Sequence, residues 1–454
     1  MPTVNEVLNQ GWQFHQQGNH DIADRIYRDV LRQVPNSSAA WCYLGILLHD
    51  QRRFPESEEA YRRALGLQDP FPIAWNNLGN SLRMLGRLEE ADQAFETALQ
   101  QDPSYLSPLK NRGTLWVWTG ELDRGLAAFR EGLRVAPHEA ELHRNIGVIY
   151  LLQGRFAEGW NEYRWRWKTP GFIRPNVTQP VWDGSDPAGK TLMLYPEQGL
   201  GDTIHFVRMA RELKARGATT IVQVEPKLLP LLSSSSGIDH LIPEGVPPGH
   251  FDFHCSFIDV ADRLGIDVDS IAHQEAYLTP PESLVAYWGQ WLEQFTGKLK
   301  VGICWQGNPS HQADIFRSIP LEVFRPLAEI DTVQLFCLQF GHGIEQLDSV
   351  DFADKIVRLP SNIDQSSGAF LDTAAIIAGL DIVVTSDTSL AHLAGAVGAQ
   401  TWVALPFVPD WRWLLSKETT PWYPTMRLYR QKEMKDWTTV FESIRSDLSD
   451  RADA

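Results

Sequence analysis

The chain has 454 residues, enough for two to four domains that each bury a core. Its 43% hydrophobic and 22% charged residues are those of a soluble globular protein. A formal net charge of −16, with no basic arm, makes a nucleic-acid backbone a poor partner and removes nucleic-acid binding from the expected functions. Cys42, Cys255, Cys304 and Cys337 lie far apart without a CxxC pair, as expected of reduced core thiols rather than bridges or a zinc site. The opening MPTVNEVLNQ lacks the basic and apolar regions of a signal peptide. With no apolar run of about 18 residues, no membrane span is expected, and the expected location is the cytoplasm.

In chain order the first feature is a repeat. Gly11, Gly45, Gly79, Gly113 and Gly147 recur every 34 residues, and Tyr27, Tyr61, Phe95, Phe129 and Tyr163 follow them in register. A second glycine recurs at Gly18, Gly86, Gly120 and Gly154, with Arg52 at the missing place. The unit Trp75 to Pro103 resembles the tetratricopeptide signature, a helix–turn–helix in which small residues let helices approach and aromatics fill the space between pairs. The spacing predicts a helical solenoid of about five repeats over 1–170. Such arrays present a concave groove. Asn77, Asn111 and Asn145 share one repeat position on the first helices, near Asn76 and Asn80. They either hydrogen-bond an extended peptide backbone in that groove or solvate a helix face.

Trp160, Tyr163, Trp165 and Trp167 then read as a capping helix, and 171–190, rich in Pro and Gly, as a connector. Strand and helix patterns alternate afterwards, which predicts parallel sheets. The expected elements are strands at 191–195, 220–224, 240–242 and 251–255 and a helix at 203–216 in one half (191–290). A second half (291–435) has strands at 300–304, 332–339, 356–359, 380–384 and 401–405 with helices near 321–330, 369–378 and 389–397. A hydrophilic connection near 279–298 joins them, and 436–454 holds a closing helix expected to cross back to the first half. Together the pattern predicts two Rossmann-like domains facing a cleft.

Two βα turns read as ligand-ready. Thr385 to Ser389 is dense in helix-capping side chains between a buried strand and a small, apolar helix that Gly398 closes. Free N–H groups and the positive helix end suit phosphate, or the stretch is an ordinary capped turn. Glu197-Gln198-Gly199-Leu200-Gly201-Asp202 is a glycine loop in which Gly199 and Gly201 allow a ligand to approach the backbone closely. Asp202 stands at a helix start, as a site residue or as an N-cap. Neither this loop nor Gly307-Asn308-Pro309 is GxGxxG or a Walker loop, which argues against NAD or ATP. Trp411, Trp413, Trp422 and Tyr423 either stack a base or fill a domain seam.

Asp387 to Ala394 resembles the donor-phosphate loop of heptosyltransferase-like GT-B glycosyltransferases, and Gly199 to Asp202 resembles their acceptor loop. Repeats joined to such a region resemble O-GlcNAc transferase and, through EQGLGDTIHFVR (197–208), DTSLAHLAGA (387–396) and PDWRWLL (409–415), bacterial repeat-bearing glycosyltransferases. The resemblance implies an inverting, metal-independent transferase with a tetratricopeptide solenoid followed by a two-Rossmann GT-B region. It needs no cofactor besides a nucleotide-sugar donor. Asp387, Thr388, Ser389 and His392 would hold the donor's phosphates and adjacent sugar, with Arg317 as a cationic clamp, although the family commonly places Lys there and Gly at the position of Ser389. Asp202 would be the general base, with His205 and His254 as rivals. Gly199, Gly201, His205, His254 and Gln306 would line the acceptor side. The expected acceptor is a protein or peptide recruited by the repeats. Alternatives are a lipid-linked or polysaccharide acceptor, or a non-catalytic scaffold. A homodimer is possible for such a chain, and the sugar is not specified.

Overall fold

The 34-residue period folds as helix pairs: α1 (Val4–Gln16) with α2 (His20–Gln33), α3 (Ser38–Asp50) with α4 (Phe54–Leu67), α5 (Pro72–Met84) with α6 (Leu88–Gln101), and α7 (Leu106–Trp118) with α8 (Leu122–Val135). Helices α9 (Ala140–Leu152) and α10 (Phe156–Tyr163) follow. The computed structural model describes residues 2–197, 199–271, 276–309, 314–365 and 367–452. The two glycine registers have separate causes. At Gly45 and Gly79 the aromatic ring of the second helix occupies the place of a side chain, so that a Cβ would stand 2.6 Å from Tyr61 Cε1 and 2.6 Å from Phe95 Cε1. Gly18, Gly86 and Gly120 instead carry left-handed φ of 77°, 78° and 82° in the turn within each pair. Arg52 takes φ 60° at the place where that glycine is missing.

The chain divides into two compact units, Met1–Ile146 and Gly147–Ala454. The end of the repeat pattern therefore packs with the α/β elements. Rings of Phe156, Trp160 and Tyr163 lie 6.2, 5.5 and 6.4 Å from that of Trp411. The Trp160 indole donates to the Ile266 carbonyl at 3.1 Å, and Arg164 pairs with both oxygens of Asp262 at 2.6 and 2.7 Å.

In this second unit β1 (Thr191–Tyr195), β2 (Thr219–Val224), β3 (His240–Pro243) and β4 (Phe253–Ser256) make a parallel sheet ordered β3-β2-β1-β4. Its helices are α11 (Leu200–Phe206), α12 (Met209–Ala215), α13 (Leu229–Leu232) and α14 (Phe257–Arg263). After α15 (Glu282–Leu292), a second sheet runs through β5 (Leu299–Cys304), β6 (Val333–Cys337), β7 (Ile356–Arg358), β8 (Ile382–Ser386), β9 (Thr401–Leu405), β10 (Thr419–Thr420) and β11 (Tyr423–Arg430). The helices that accompany it are α16 (Asp314–Arg317), α17 (Arg325–Ala328), α18 (Leu371–Ala378), α19 (Ser389–Val397) and α20 (Thr438–Ala452). The order is β10-β11-β9-β8-β5-β6-β7, with β10 antiparallel to β11 and the other pairings parallel. From β7 the parallel strands read third, second, first, fourth, fifth, sixth, which is a doubly wound order.

Several expected elements shift. The helix expected at 203–216 breaks between α11 and α12. There Ala210 and Arg211 donate to the carbonyls of Val207 and Arg208, three residues back, and the buried Arg208 side chain donates to the His205 carbonyl at 2.8 Å. The strand expected at 380–384 is displaced to Ile382–Ser386, because Leu380 still donates to Ile377 and finishes the turn after α18. The connection at 279–298 contains α15, whose Trp288 and Leu292 are buried. The helix expected at 321–330 is a 3-10 turn (Leu321–Phe324) followed by α17. The closing helix does not cross back: Val440, Phe441, Ile444 and Leu448 of α20 join the core of the second sheet with Val301, Ile303 and Val384.

These contacts separate two kinds of glycine in the repeats. Gly79→Ala is expected to destabilise the protein by ~1–3 kcal/mol through overpacking against Phe95. Gly66→Ala, inside α4 with nothing within 4 Å of a Cβ, is expected to be neutral or stabilising by up to ~1 kcal/mol. Urea denaturation of both variants checks the contrast.

Candidate active site

In doubly wound sheets ligands bind outside the carboxyl ends of the strands, where the strand order reverses. Those points lie between β1 and β4 in one sheet and between β5 and β8 in the other. The loop after β1 carries Glu197 and Gly199 into α11, and the loop after β8 carries Asp387 and Thr388 into α19. Gln198 lies outside the described residues. The two helices meet: a Cβ on Gly201 would stand 3.2 Å from Ser389 Cα and 3.3 Å from His392 Cδ2. Gly201 thus admits the neighbouring helix rather than a ligand, whereas nothing lies within 4 Å of a Cβ on Gly199.

Charge is concentrated at this contact. Asp202, in the first turn of α11, receives Arg412 Nη2 on Oδ1 at 2.5 Å. Arg412 Nη1 reaches Asp410 Oδ1 at 2.7 Å, and the same oxygen accepts the Arg412 backbone N–H at 3.0 Å, capping the 3-10 turn Trp411–Trp413. Burial pushes Asp202 up to about 6. The Arg412 charge opposes the shift, and Asp410, Glu197 and Asp387 add to it. Burial also pushes Asp387 up to about 6, reinforced by Asp410 and opposed by Arg317, the Trp413 indole and Arg412. Arg317 lies across the loop after β5, where a Cβ on Gly307 would be 2.8 Å from its Nη2. Thr388 is the N-cap residue of α19 and its hydroxyl is 3.4 Å from that of Thr385. The structure therefore gathers Asp202, Arg317, Asp387, Thr388, Ser389 and His392 around one seam.

The histidines are arranged differently from a base. His205 and His392 are buried, with Nδ1 atoms 3.1 Å apart, and the Tyr423 hydroxyl lies 3.2 Å from the first and 3.0 Å from the second. Burial holds both well below the ordinary imidazole value, and the Arg208 and Arg412 charges push the same way. Arg208 is buried beside them, donating to the Trp422 carbonyl at 2.7 Å and the Tyr277 hydroxyl at 2.9 Å. The His392 ring stacks on Trp413 at 5.2 Å. Trp411, Trp413, Trp422 and Tyr423 are buried, so the domain-seam reading of these aromatics accounts for them.

Other expected site residues sit elsewhere. His254 is buried within the first sheet with Nδ1 3.2 Å from the Tyr195 hydroxyl. The Gln306 side chain turns to Gln346 at 3.0 Å. Its backbone is held by the buried Gln339, whose Oε1 accepts from the N–H groups of Trp305 and Gln306 at 3.1 and 2.9 Å. In the repeats, Asn76 donates to Asn77 at 3.1 Å and accepts from Asn111 at 2.9 Å, while Asn145 accepts from Arg144 at 3.2 Å. Asn76, Asn77 and Asn111 are thus engaged with one another along neighbouring first helices.

One further cluster underlies the loop after β1. Arg166 is buried and pairs with Glu197 at 2.5 and 2.8 Å and with Asp259 at 2.6 Å. Trp167 donates to Asp259 at 2.9 Å and Ser256 to Glu197 at 2.6 Å. Sequence reasoning singled out the tryptophans of both RWRWK and PDWRWLL, yet the arginines between them, Arg166 and Arg412, carry the electrostatics.

The fold and seam define a two-part protein: tetratricopeptide repeats, then an α/β unit built on two facing switch points. The tetratricopeptide repeat family model matches residues 8–70, 50–105 and 119–160. Protein FlbA of Caulobacter vibrioides is 26% identical over 325 residues, which are 66% of this chain and 53% of FlbA, so the chain spans about half the length of that relative. Among solved structures, a thermophilic TPR protein of Thermus thermophilus is 19% identical, covering 37% of this chain and 92% of its own, with a TM-score of 0.34. PilF of Pseudomonas aeruginosa is 20% identical, covering 36% and 75%, also with a TM-score of 0.34. Among the described residues no helix is long and apolar enough to cross a membrane.

The raised carboxyls give a signed prediction. In the native state Asp387 keeps a proton up to about pH 6, whereas the unfolded chain releases it near its ordinary value of 3.8. The native state then binds more protons between those values, so this group's contribution to stability falls as pH rises through the window and stays low above it. Asp387→Asn is expected to raise the unfolding free energy by ~1–2 kcal/mol at pH 7.5 and to change it little at pH 4. Urea denaturation at both pH values decides this, and an equal effect at both refutes the assignment.

Proposed function

We propose that the Gly147–Ala454 unit is an inverting, metal-independent glycosyltransferase of GT-B type, and that the repeats recruit its protein or peptide acceptor. The observation that carries this reading is the seam itself. A carboxylate on α11, Asp202, faces the hydroxyl-rich start of α19 across the joined carboxyl edges of two doubly wound sheets.

In this reaction the donor's diphosphate lies at the start of α19, where the first N–H groups of the helix and its positive end favour negative charge. Arg317 clamps it as a charge-assisted donor. The acceptor hydroxyl approaches the anomeric carbon from the side of Asp202. As the new C–O bond forms and the bond to the diphosphate breaks, the hydroxyl proton passes to Asp202, and the nucleoside diphosphate leaves with the electron pair. A carboxyl near 6 is a stronger base than an ordinary one and still largely ionised at neutral pH. The buried, uncharged pair His205 and His392 then serves to join the halves rather than to move protons. Repeats of this kind bury their core between neighbours and leave a face for protein partners, which fits recruitment of a polypeptide acceptor.

The test has two arms. Calorimetry against UDP, GDP, ADP and CMP is expected to find one nucleotide that binds, with Arg317→Ala weakening it ~10–100-fold, the loss of a charged hydrogen bond. Transfer from the matching sugar nucleotide is expected to fall by at least ~100-fold in Asp202→Asn while nucleotide binding persists. A protein that binds none of the four and transfers from no donor is a scaffold instead.

A further inference from the structure

Arg412 sits in an unusual position. It is buried, and its guanidinium bridges Asp202 on α11 and Asp410 in the loop after β9. It also lies over two rings, 4.5 Å from the Trp411 centroid and 5.4 Å from that of Phe206. Trp411 is in turn packed by Phe156, Trp160 and Tyr163. The side chain is thus fixed by ring contacts and by Asp410 before it meets Asp202. Its attachment is to the second half of the unit, whereas Asp202 belongs to the first. Three further carboxylates bear on Asp202: Asp410, Glu197 from the loop after β1, and Asp387 from the loop after β8. Among the described residues, Tyr163 from α10 and the uncharged His205 and His392 also lie in the field of the Arg412 charge. Without Arg412, a buried carboxyl among three like charges would hold its proton to higher pH, and a protonated acid accepts nothing from a hydroxyl.

Resting on the function proposed above, we infer that Arg412 is the positioning residue of the reaction: its guanidinium fixes Oδ1 of Asp202, balances that carboxylate's charge, and leaves the second oxygen for the acceptor's proton. The base is oriented by a third group, as nucleophile–base pairs commonly are. Because the orienting group comes from the other half of the unit, the base is complete only when α11 and α19 are in contact.

Two measurements separate this inference from the reading beneath it. The first needs no turnover: the effect of Asp202→Asn on chemical stability at pH 8, measured with Arg412 present and in an Arg412→Gln background. Asp202→Asn is expected to raise the denaturation midpoint in both backgrounds, and clearly more when Arg412 is absent, because Arg412 offsets only part of the cost of the buried charge. The same effect in both backgrounds overturns the pairing. The second is the pH dependence of kcat/KM. The acidic limb is expected to move up by at least about one pH unit in Arg412→Gln and to return toward the wild-type position in Arg412→Lys, with donor KM changed less than about threefold. A drop in rate with an unmoved limb overturns the positioning role and leaves the transferase reading intact. Wild-type protein that transfers from no donor overturns the transferase reading and with it the role in reaction, while the stability cycle still reports the pair.

Discussion

Helix α11 lies against α19 with Gly201 on Ser389, and this contact brings together two carboxyl edges that belong to separate sheets. Each sheet reverses its strand order between its first and fourth strands, so each by itself offers half a cleft. A methyl group at 201 would meet Ser389 Cα at 3.2 Å and His392 at 3.3 Å, closer than packed atoms ordinarily sit. The shared contact is consolidated by polar groups withdrawn from solvent. The His205, His392, Tyr423, Tyr277 and Arg208 side chains form one buried polar chain across it. Networks of this kind select one packing over its neighbours, because a slip leaves buried donors unmet.

The same burial that joins the halves makes the seam electrostatically expensive. Asp202 and Asp387 are both raised, and desolvation is the first cause in each. Arg412 and Arg317 offset part of that, not all of it. Stability is thus sacrificed at the residues that the chemistry would use, which is how active sites commonly differ from the rest of a fold.

The sequence made some of this legible and hid the rest for identifiable reasons. Gly79 with Phe95, and Gly86 in its turn, were readable because the same local demand recurs each repeat. Strands β1 and β9 were readable as apolar runs bounded by turn residues, and Gly398 as the left-handed end of α19. The break after Phe206 carries no Pro or Gly. It is imposed by Arg208, whose partners Trp422 and Tyr277 lie far along the chain. Helix α15 was legible but passed over: Leu284, Val285, Trp288, Trp291 and Leu292 recur at helical spacing and are the residues it turns inward, although the stretch is expected above as a hydrophilic connection. In the site, Asp202 and Asp387 were visible from their loops. Arg412 was not, since its meaning resides in a pairing with a residue of the other sheet. His254 and Gln306 looked equally suitable by composition, and only their partners, Tyr195 and Gln346, place them in the framework.

The Arg166 cluster bears on how such a chain can be taken apart and recombined. Glu197 and Asp259 are almost wholly buried, and both are neutralised by an arginine contributed by the last turn of the repeat region. A cut at the proline-rich stretch after residue 170 strands two like charges in a low-dielectric interior beneath the glycine loop, and removing one side of a buried pair is worth ~3–5 kcal/mol. The visible seam between solenoid and sheet domains is therefore not the working one. The final hairpin and its Arg166 lie in the same compact unit as the sheets, Gly147–Ala454, so any recombination that keeps this buried pairing must carry the hairpin along with the α/β core.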